Sequence, residues 1–193
     1  MATTFGSHST RMPRILKGLL IGAALLGVIG YFGFDHMKAQ TKKASPEEVN
    51  TFKVDGITIA VDYSRPSKKG RVIFGELVPY GKVWRTGANE ATTIMIDKDI
   101  RVGGKPLKAG TYTLWTIPQA DSWRVILNGK MYPWGVNYNG EAQRDPAADV
   151  VMVEVPVERL ATEVEKFTIE AVELPAALVL KWDRTLVRVP ITK

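Results

Sequence analysis

The sequence predicts an all-β fold, an antiparallel β-sandwich of about eight or nine strands, preceded by one N-terminal transmembrane helix. Three observations predict it. An apolar run from Ile15 to Phe34 carries no charge after Lys17. Beyond Glu48, short runs rich in Val, Ile, Thr, Tyr and Trp are separated by Gly- and Pro-marked turns, and several alternate apolar with polar at period two. No stretch after Glu48 has the periodicity of a long amphipathic helix.

The apolar run has about the 20 residues that a helix needs to cross roughly 30 Å of hydrocarbon. Arg11, Arg14 and Lys17 form a positive flank of the kind that stays in the cytoplasm. The expected organisation is therefore a cytoplasmic tail over 1–14, an anchor helix over 15–34, a linker over 35–54 and a β-sandwich domain over 55–193. The protein reads as a single-pass signal anchor in a bacterial inner membrane, N-terminus in and β domain in the periplasm. The alternative is a cleaved signal peptide. Against it, the run is long for such a segment, and Tyr31 and Met37 occupy positions where small residues should precede a cleavage site.

Within the anchor, Gly18 and Gly22 stand four apart, and Gly27, Gly30 and Gly33 follow at threes. Small residues at these intervals let a second helix approach closely, which makes Gly18, Gly22, Gly27 and Gly30 candidates for packing against other transmembrane subunits. The plainer reading is that glycine is common in membrane helices.

Charge follows the membrane. The chain of 193 residues has a net charge of +6, but residues 1–43 hold six of the basic side chains and one acid. Residues 44–193 keep 20 basic against 19 acidic side chains. A nucleic-acid binder would concentrate positive charge on its folded domain, so no nucleic-acid partner is expected.

The segment 41–51 (TKKASPEEVNT) reads as polar linker, with Ser45, Pro46, Glu47 and Glu48 resembling a helix start: a cap, a proline at the first position and acids in the first turn. Strands are expected at 57–63, 71–75, 92–97, 111–117, 123–128, 150–155, 166–172, 177–182 and 185–189, and a turn of helix at 156–164. Gly103-Gly104 reads as a two-residue hairpin turn.

The residue inventory excludes much chemistry. There is no Cys, and the two histidines, His8 and His36, precede the β domain. Cysteine nucleophiles, disulfides, Cys-ligated zinc and the Ser–His–Asp triad are therefore absent from that domain. Carboxylates remain, without motif spacing. Asp97 and Asp99, and the pair Asp145 and Asp149, read as solvated loop charge rather than a calcium loop. No catalytic residue, metal ligand or cofactor site is assigned.

Two loops stand out. Val78–Thr92 (VPYGKVWRTGANEAT) gathers Tyr80, Lys82, Trp84, Arg85, Asn89 and Glu90; Lys130–Asn139 (KMYPWGVNYN) gathers Tyr132, Trp134 and Tyr138. Aromatic, guanidinium and amide groups in this density are costly to leave in water unless they pack or bind, so Tyr80, Trp84, Arg85, Asn89, Glu90, Tyr132 and Trp134 are the candidate binding set for a small ligand, glycan or peptide. In the alternative, Trp84 plugs the sandwich, Arg85 and Glu90 satisfy buried backbone, and the second loop is a structural lid.

The strings Ser64-Arg65-Pro66-Ser67, Lys69-Gly70-Arg71, Phe74-Gly75, Pro79 to Glu90 (PYGKVWRTGANE), Lys108 to Tyr112 (KAGTY) and Trp134-Gly135 resemble the bacterial family catalogued as domain of unknown function 2911, over about residues 55–192. The resemblance implies an exported or membrane-tethered β-rich domain and assigns no activity. Relatives resemble secreted proteins with a cleavable signal, so a retained anchor is a departure from them. Three functions follow as expectations: a non-catalytic accessory subunit of a membrane complex, respiratory or photosynthetic; a tethered binding module; or a carboxylate hydrolase using Glu90 with Arg85 orienting substrate.

Overall fold

The computed structural model describes residues 13–193; Arg11, His8 and most of the expected cytoplasmic tail (1–14) lie outside them. The chain divides into two compact units, residues 1–40 and 41–193.

The first element is a single helix, α1 (Arg14–Ala44), of 31 residues, about 46 Å long at the ordinary rise. Its stretch Ile15–Ala44 is long and apolar enough to cross a membrane, and its apolar side chains, such as Ile15 and Leu26, are exposed. This helix fits a membrane anchor or a signal sequence. A Cβ added at Gly18, Gly22, Gly27 or Gly30 would meet nothing within 4 Å.

The expected linker is corrected here. Residues 35–44 continue the helix, with Lys42 and Lys43 in its last turn, where the carbonyl end of the dipole favours cations. Proline disfavours helical backbone in the residue before it, so Pro46 stops the helix at Ser45 rather than starting one. The residues read as a helix start instead open strand β1 (Glu47–Val54). It pairs along its whole length with β2 (Ile57–Ser64) across the two-residue turn Asp55-Gly56.

Seven further strands follow: β3 (Ala88–Ile96), β4 (Ile100–Val102), β5 (Lys105–Leu107), β6 (Gly110–Pro118), β7 (Ser122–Asn128), β8 (Asp149–Glu173) and β9 (Ala176–Thr192). The nine strands run in the order β1-β2-β3-β6-β7-β8-β9-β4-β5, antiparallel throughout, so the expected class holds. Gly103 (φ 53°) and Gly104 (φ 80°) form the β4–β5 hairpin turn, a backbone that side-chain-bearing residues rarely adopt.

Three expectations change. The run 71–75 has no ladder partner beyond a single bridge from Phe74 to Val78; Ile73 buries itself as a loop plug instead. The helical turn expected at 156–164 lies inside β8, which joins the two runs expected at 150–155 and 166–172. The runs 177–182 and 185–189 likewise join in β9.

β8 converts one sheet into two layers. Its first part pairs with β7 through Pro156, and from Val157 onward it pairs with β9, with register shifts between Arg159 and Thr168. Those irregularities let the strand bend, so Val153 and Val155 from one part and Phe167 and Ile169 from the other enter one apolar core. Arg65 fastens the layers together: Nε donates to Phe167 O at 3.0 Å, Nη2 to Thr168 Oγ1 at 2.7 Å, and Nη1 to Glu48 Oε2 at 2.8 Å.

At the heart of the core the aromatic side chains meet. Trp84 stacks on Trp182 (centroids 6.0 Å apart, planes at 18°) and meets Phe167 edge-on at 4.8 Å, while Phe74 meets Trp123 edge-on at 4.9 Å. Such pairs add about 0.5–1.5 kcal/mol each beyond area burial.

Candidate functional site

The segment between β2 and β3 bonds to β8 through Pro66 and Lys68 and to β6 through Gly81 and Trp84, and it delivers the first of the two sequence-marked loops. Trp84 is pinned to β6 by reciprocal backbone bonds, Trp84 N to Thr116 O (2.8 Å) and Thr116 N to Trp84 O (3.0 Å). Its indole Nε1 donates to Gly87 O at 3.0 Å. The turn that follows is strained: Thr86 (φ 56°) and Asn89 (φ 58°) both adopt left-handed backbone, which costs a β-branched residue most. Interior hydrogen bonds hold it there. The buried Thr86 hydroxyl contacts Thr116 Oγ1 at 3.2 Å, Thr92 Oγ1 donates to Thr86 O at 2.7 Å, and Asn89 Nδ2 donates to Ser64 Oγ and to Ser45 O, both at 3.2 Å. A Cβ on Gly87 would stand 3.0 Å from Ser64 O. The Trp-Arg-Thr-Gly-Ala-Asn-Glu run is therefore a tightly specified turn with the Trp84 ring packed on the aromatic core.

Arg85 lines a cleft of about 720 Å³ between this loop and the segment Val136–Ala142. Pro66, Leu77, Val78, Pro79, Val136 and Trp182 supply apolar wall, and Arg71, Lys82 and Glu141 supply charge. Burial lowers the Arg85 guanidinium from its ordinary pKa, against the field of Glu90. Its Nε is buried with no hydrogen-bond partner. The stem of Arg85 passes over Gly135, where an added Cβ would stand 3.2 Å from Arg85 Cδ and 3.1 Å from Ala91 Cβ.

The seven sequence-marked residues separate in the structure. Trp84 and Arg85 reach the cleft. Tyr80 is exposed beside Gly75, Asn89 is a buried turn lock, and Glu90 pairs with Lys42 Nζ at 3.6 Å. Tyr132 faces a second small core, edge-on to Trp115 at 5.2 Å; its hydroxyl donates to Asn128 Oδ1 (3.2 Å) and accepts from Asp145 N (2.8 Å). Trp134 is half-buried and does not line the cleft. Trp84 packs into the aromatic core, as the alternative expected, while Arg85 Nε has no hydrogen-bond partner.

The sequence marks Lys82 and Asn139 with the two loops but not as cleft residues, and Arg71 and Glu141 lie outside both loops. Nothing in their spacing shows that the four converge. Among the described residues no group of three or more His, Asp or Glu side chains could hold a metal ion. The loop acids serve turns: Asp97 Oδ1 accepts from Thr58 N at 2.7 Å, and Asp99 accepts from Ala109 N at 2.9 Å and from Lys108 Nζ at 2.7 Å. These bonds hold both carboxyls below the usual carboxylate range, through Thr58 for Asp97 and chiefly through Lys108 for Asp99.

Comparison with known proteins gives one family. No curated protein and no solved structure matches this chain. A family model described as "Protein of unknown function (DUF2911)" matches residues 45–191, beginning at the helix–strand junction and so including β1, which the sequence comparison over 55–192 left out. The strained turn, the Arg65 fastening and both cleft loops all fall inside that match, and the chain belongs to the DUF2911 family of proteins of unknown function.

Proposed function

We propose that this chain is a non-catalytic accessory subunit of a bacterial membrane protein complex, respiratory or photosynthetic, with α1 in the inner membrane, the N-terminus in the cytoplasm and the β domain in the periplasm. The observation that carries this reading is the junction between helix and sheet. Only Ser45 and Pro46 separate Ala44 from β1. Both are tied down, since Ser45 O accepts from Asn89 Nδ2 at 3.2 Å and Pro46 O from Arg65 N at 2.8 Å. Lys42, in the last helical turn, pairs with Glu47 at 2.8 Å. A domain that searches for ligands at the end of a tether needs slack chain, which a Gly/Ser-rich linker supplies; a domain that braces neighbours does not. The open glycine face of α1 adds the means for close helix packing.

Gentle detergent extraction of native membranes, followed by size separation and mass spectrometry, tests the reading. A set of partners in fixed ratio is the expected result, and Gly22→Leu with Gly27→Leu should strip it. A chain that migrates alone overturns the proposal.

A second reading, a membrane-tethered binding module, is favoured by the 720 Å³ cleft, which falls within the range of small-molecule sites. The two readings are compatible, because a subunit can carry a ligand. The hydrolase reading finds less support: Glu141 is the one acid among the residues lining the cleft, and its Oε2 accepts from Asn137 Nδ2 at 2.9 Å. Paired-carboxylate chemistry there has no second carboxylate.

A further inference from the structure

We infer that the cleft beside Arg85 is a binding site for a small organic anion, one carboxylate or phosphate group attached to an apolar body. The inference rests on the cleft being a binding site and adds the chemistry of what it takes. Three cations line it, Arg71, Lys82 and Arg85, against one acid, Glu141. Glu141 accepts a hydrogen bond from Asn137, and Glu90 acts on Arg85 through its field from outside the lining, which still leaves fewer acids than cations about the cleft.

The cations differ in what holds them. Arg71 is fixed by its own loop, Nε donating to Lys68 O at 3.0 Å and Nη2 to Ser67 O at 2.6 Å. Lys82 is exposed at the rim. Arg85 is the unusual one, because burial removes water from its guanidinium while Nε has no protein acceptor. A desolvated guanidinium with an unsatisfied N–H is costly even in the field of Glu90, and an oxyanion offering two acceptor oxygens is the geometry that relieves it. Gly135 preserves the place of the Arg85 stem, since a Cβ there would press on Arg85 Cδ and Ala91. The remaining wall is apolar, with Leu77, Val78, Pro79 and Val136 beside the Trp84 and Trp182 rings. An inorganic ion alone would leave that surface wet, whereas an apolar body covers it.

The test uses the full chain in lipid nanodiscs and three water-soluble probes of matched shape: phenylacetate, phenyl phosphate and the neutral phenylacetamide. Calorimetry and ligand-observed NMR report binding. Both anions should bind at least tenfold more tightly than the amide, with an affinity that falls as salt is raised. Arg85→Gln should abolish that preference, and Lys82→Gln should weaken anion binding severalfold, each with an unchanged thermal midpoint. Should Arg85→Gln fail to fold, the exposed Lys82→Glu and the salt series decide alone. Whichever anion binds more tightly separates a carboxylate source from a phosphate source. Equal binding of the amide and the anions overturns the anion inference and keeps the cleft as a site. Failure of all three probes to bind at millimolar concentration overturns both.

Discussion

The two loops that look alike in sequence differ in what their conspicuous residues do. Val78–Thr92 sends Trp84 into the aromatic core and turns Arg85 to the cleft one residue later. Lys130–Asn139 directs Tyr132 onto Trp115, and contributes to the cleft through Val136 and Asn139, followed by Gly140, Glu141 and Ala142. Trp84 and Tyr132 thus mark where each loop is fastened, because their large apolar surface is worth most when buried, whereas Tyr80 and Tyr138 stay exposed. The surface left for a ligand is made by the plainer residues beside the fastenings. Sorting the loop residues into fastenings and ligand-facing positions gives a set of substitutions that should separate stability from binding.

The largest effect belongs to Trp84. Trp84→Ala removes the ring that touches Phe74, Phe167, Trp123 and Trp182 together, and should cost about 3–5 kcal/mol in denaturant unfolding. A loss below about 1 kcal/mol would mean that Trp84 serves only the cleft it lines and not the core, and would break the division. Gly135→Ala comes next, because φ 86° disfavours any side chain and the new methyl would press on Ala91 N at 3.2 Å. About 1–3 kcal/mol is expected, together with altered ligand binding, since Arg85 Cδ stands at 3.2 Å from the same methyl.

Much of the sheet was legible because alternation follows directly from the pleat. β2, read from ITIAVDY, buries Ile57, Ile59, Val61 and Tyr63 on one face. β1 escaped because its inward positions are Glu48, Asn50, Phe52 and Val54, a face too polar to count as apolar. Glu48 and Asn50 are tolerated there because Asn50 and Arg65 both donate to the Glu48 carboxylate, a partnership set by β2 and invisible in β1 alone. Continuity of β8 was hidden for the opposite reason: residues 158–163 are mostly exposed at the bend, so they carry no apolar rhythm. The cleft was the least legible part. Arg71, Lys82, Arg85 and Glu141 span 70 positions of sequence, and only the strand order that packs one loop beside the other brings them together.

Tyr132→Phe sharpens the comparison at smaller scale. The ring stays on Trp115, and only the hydroxyl that joins Asn128 Oδ1 to Asp145 N is lost. About 1 kcal/mol of stability should go, mostly from the unsatisfied Asp145 N–H, with binding of phenylacetate unchanged. A lost affinity with unchanged stability would return Tyr132 to the ligand-facing group.

The smallest effect on stability should come from Arg85→Met, which keeps the stem over Gly135 and removes the guanidinium. A paired buried arginine is expensive to remove because its partner is left stranded. Arg85 is compensated only in part: its pKa is lowered first by desolvation, Glu90 opposes that shift through its field, and Glu90 already pairs with Lys42 at 3.6 Å, a pair that stays when the arginine is gone. Removing an unsatisfied donor from an apolar wall is close to neutral or stabilising, so unfolding free energy should stay within about 0.5 kcal/mol of wild type or exceed it. Trp84 and Arg85 are adjacent in the chain, yet their replacements should differ by several kcal/mol on this account. A stability loss of about 2 kcal/mol or more for Arg85→Met would show that the guanidinium is itself a fastening, and the cleft would then lose its one residue held at a cost to the fold.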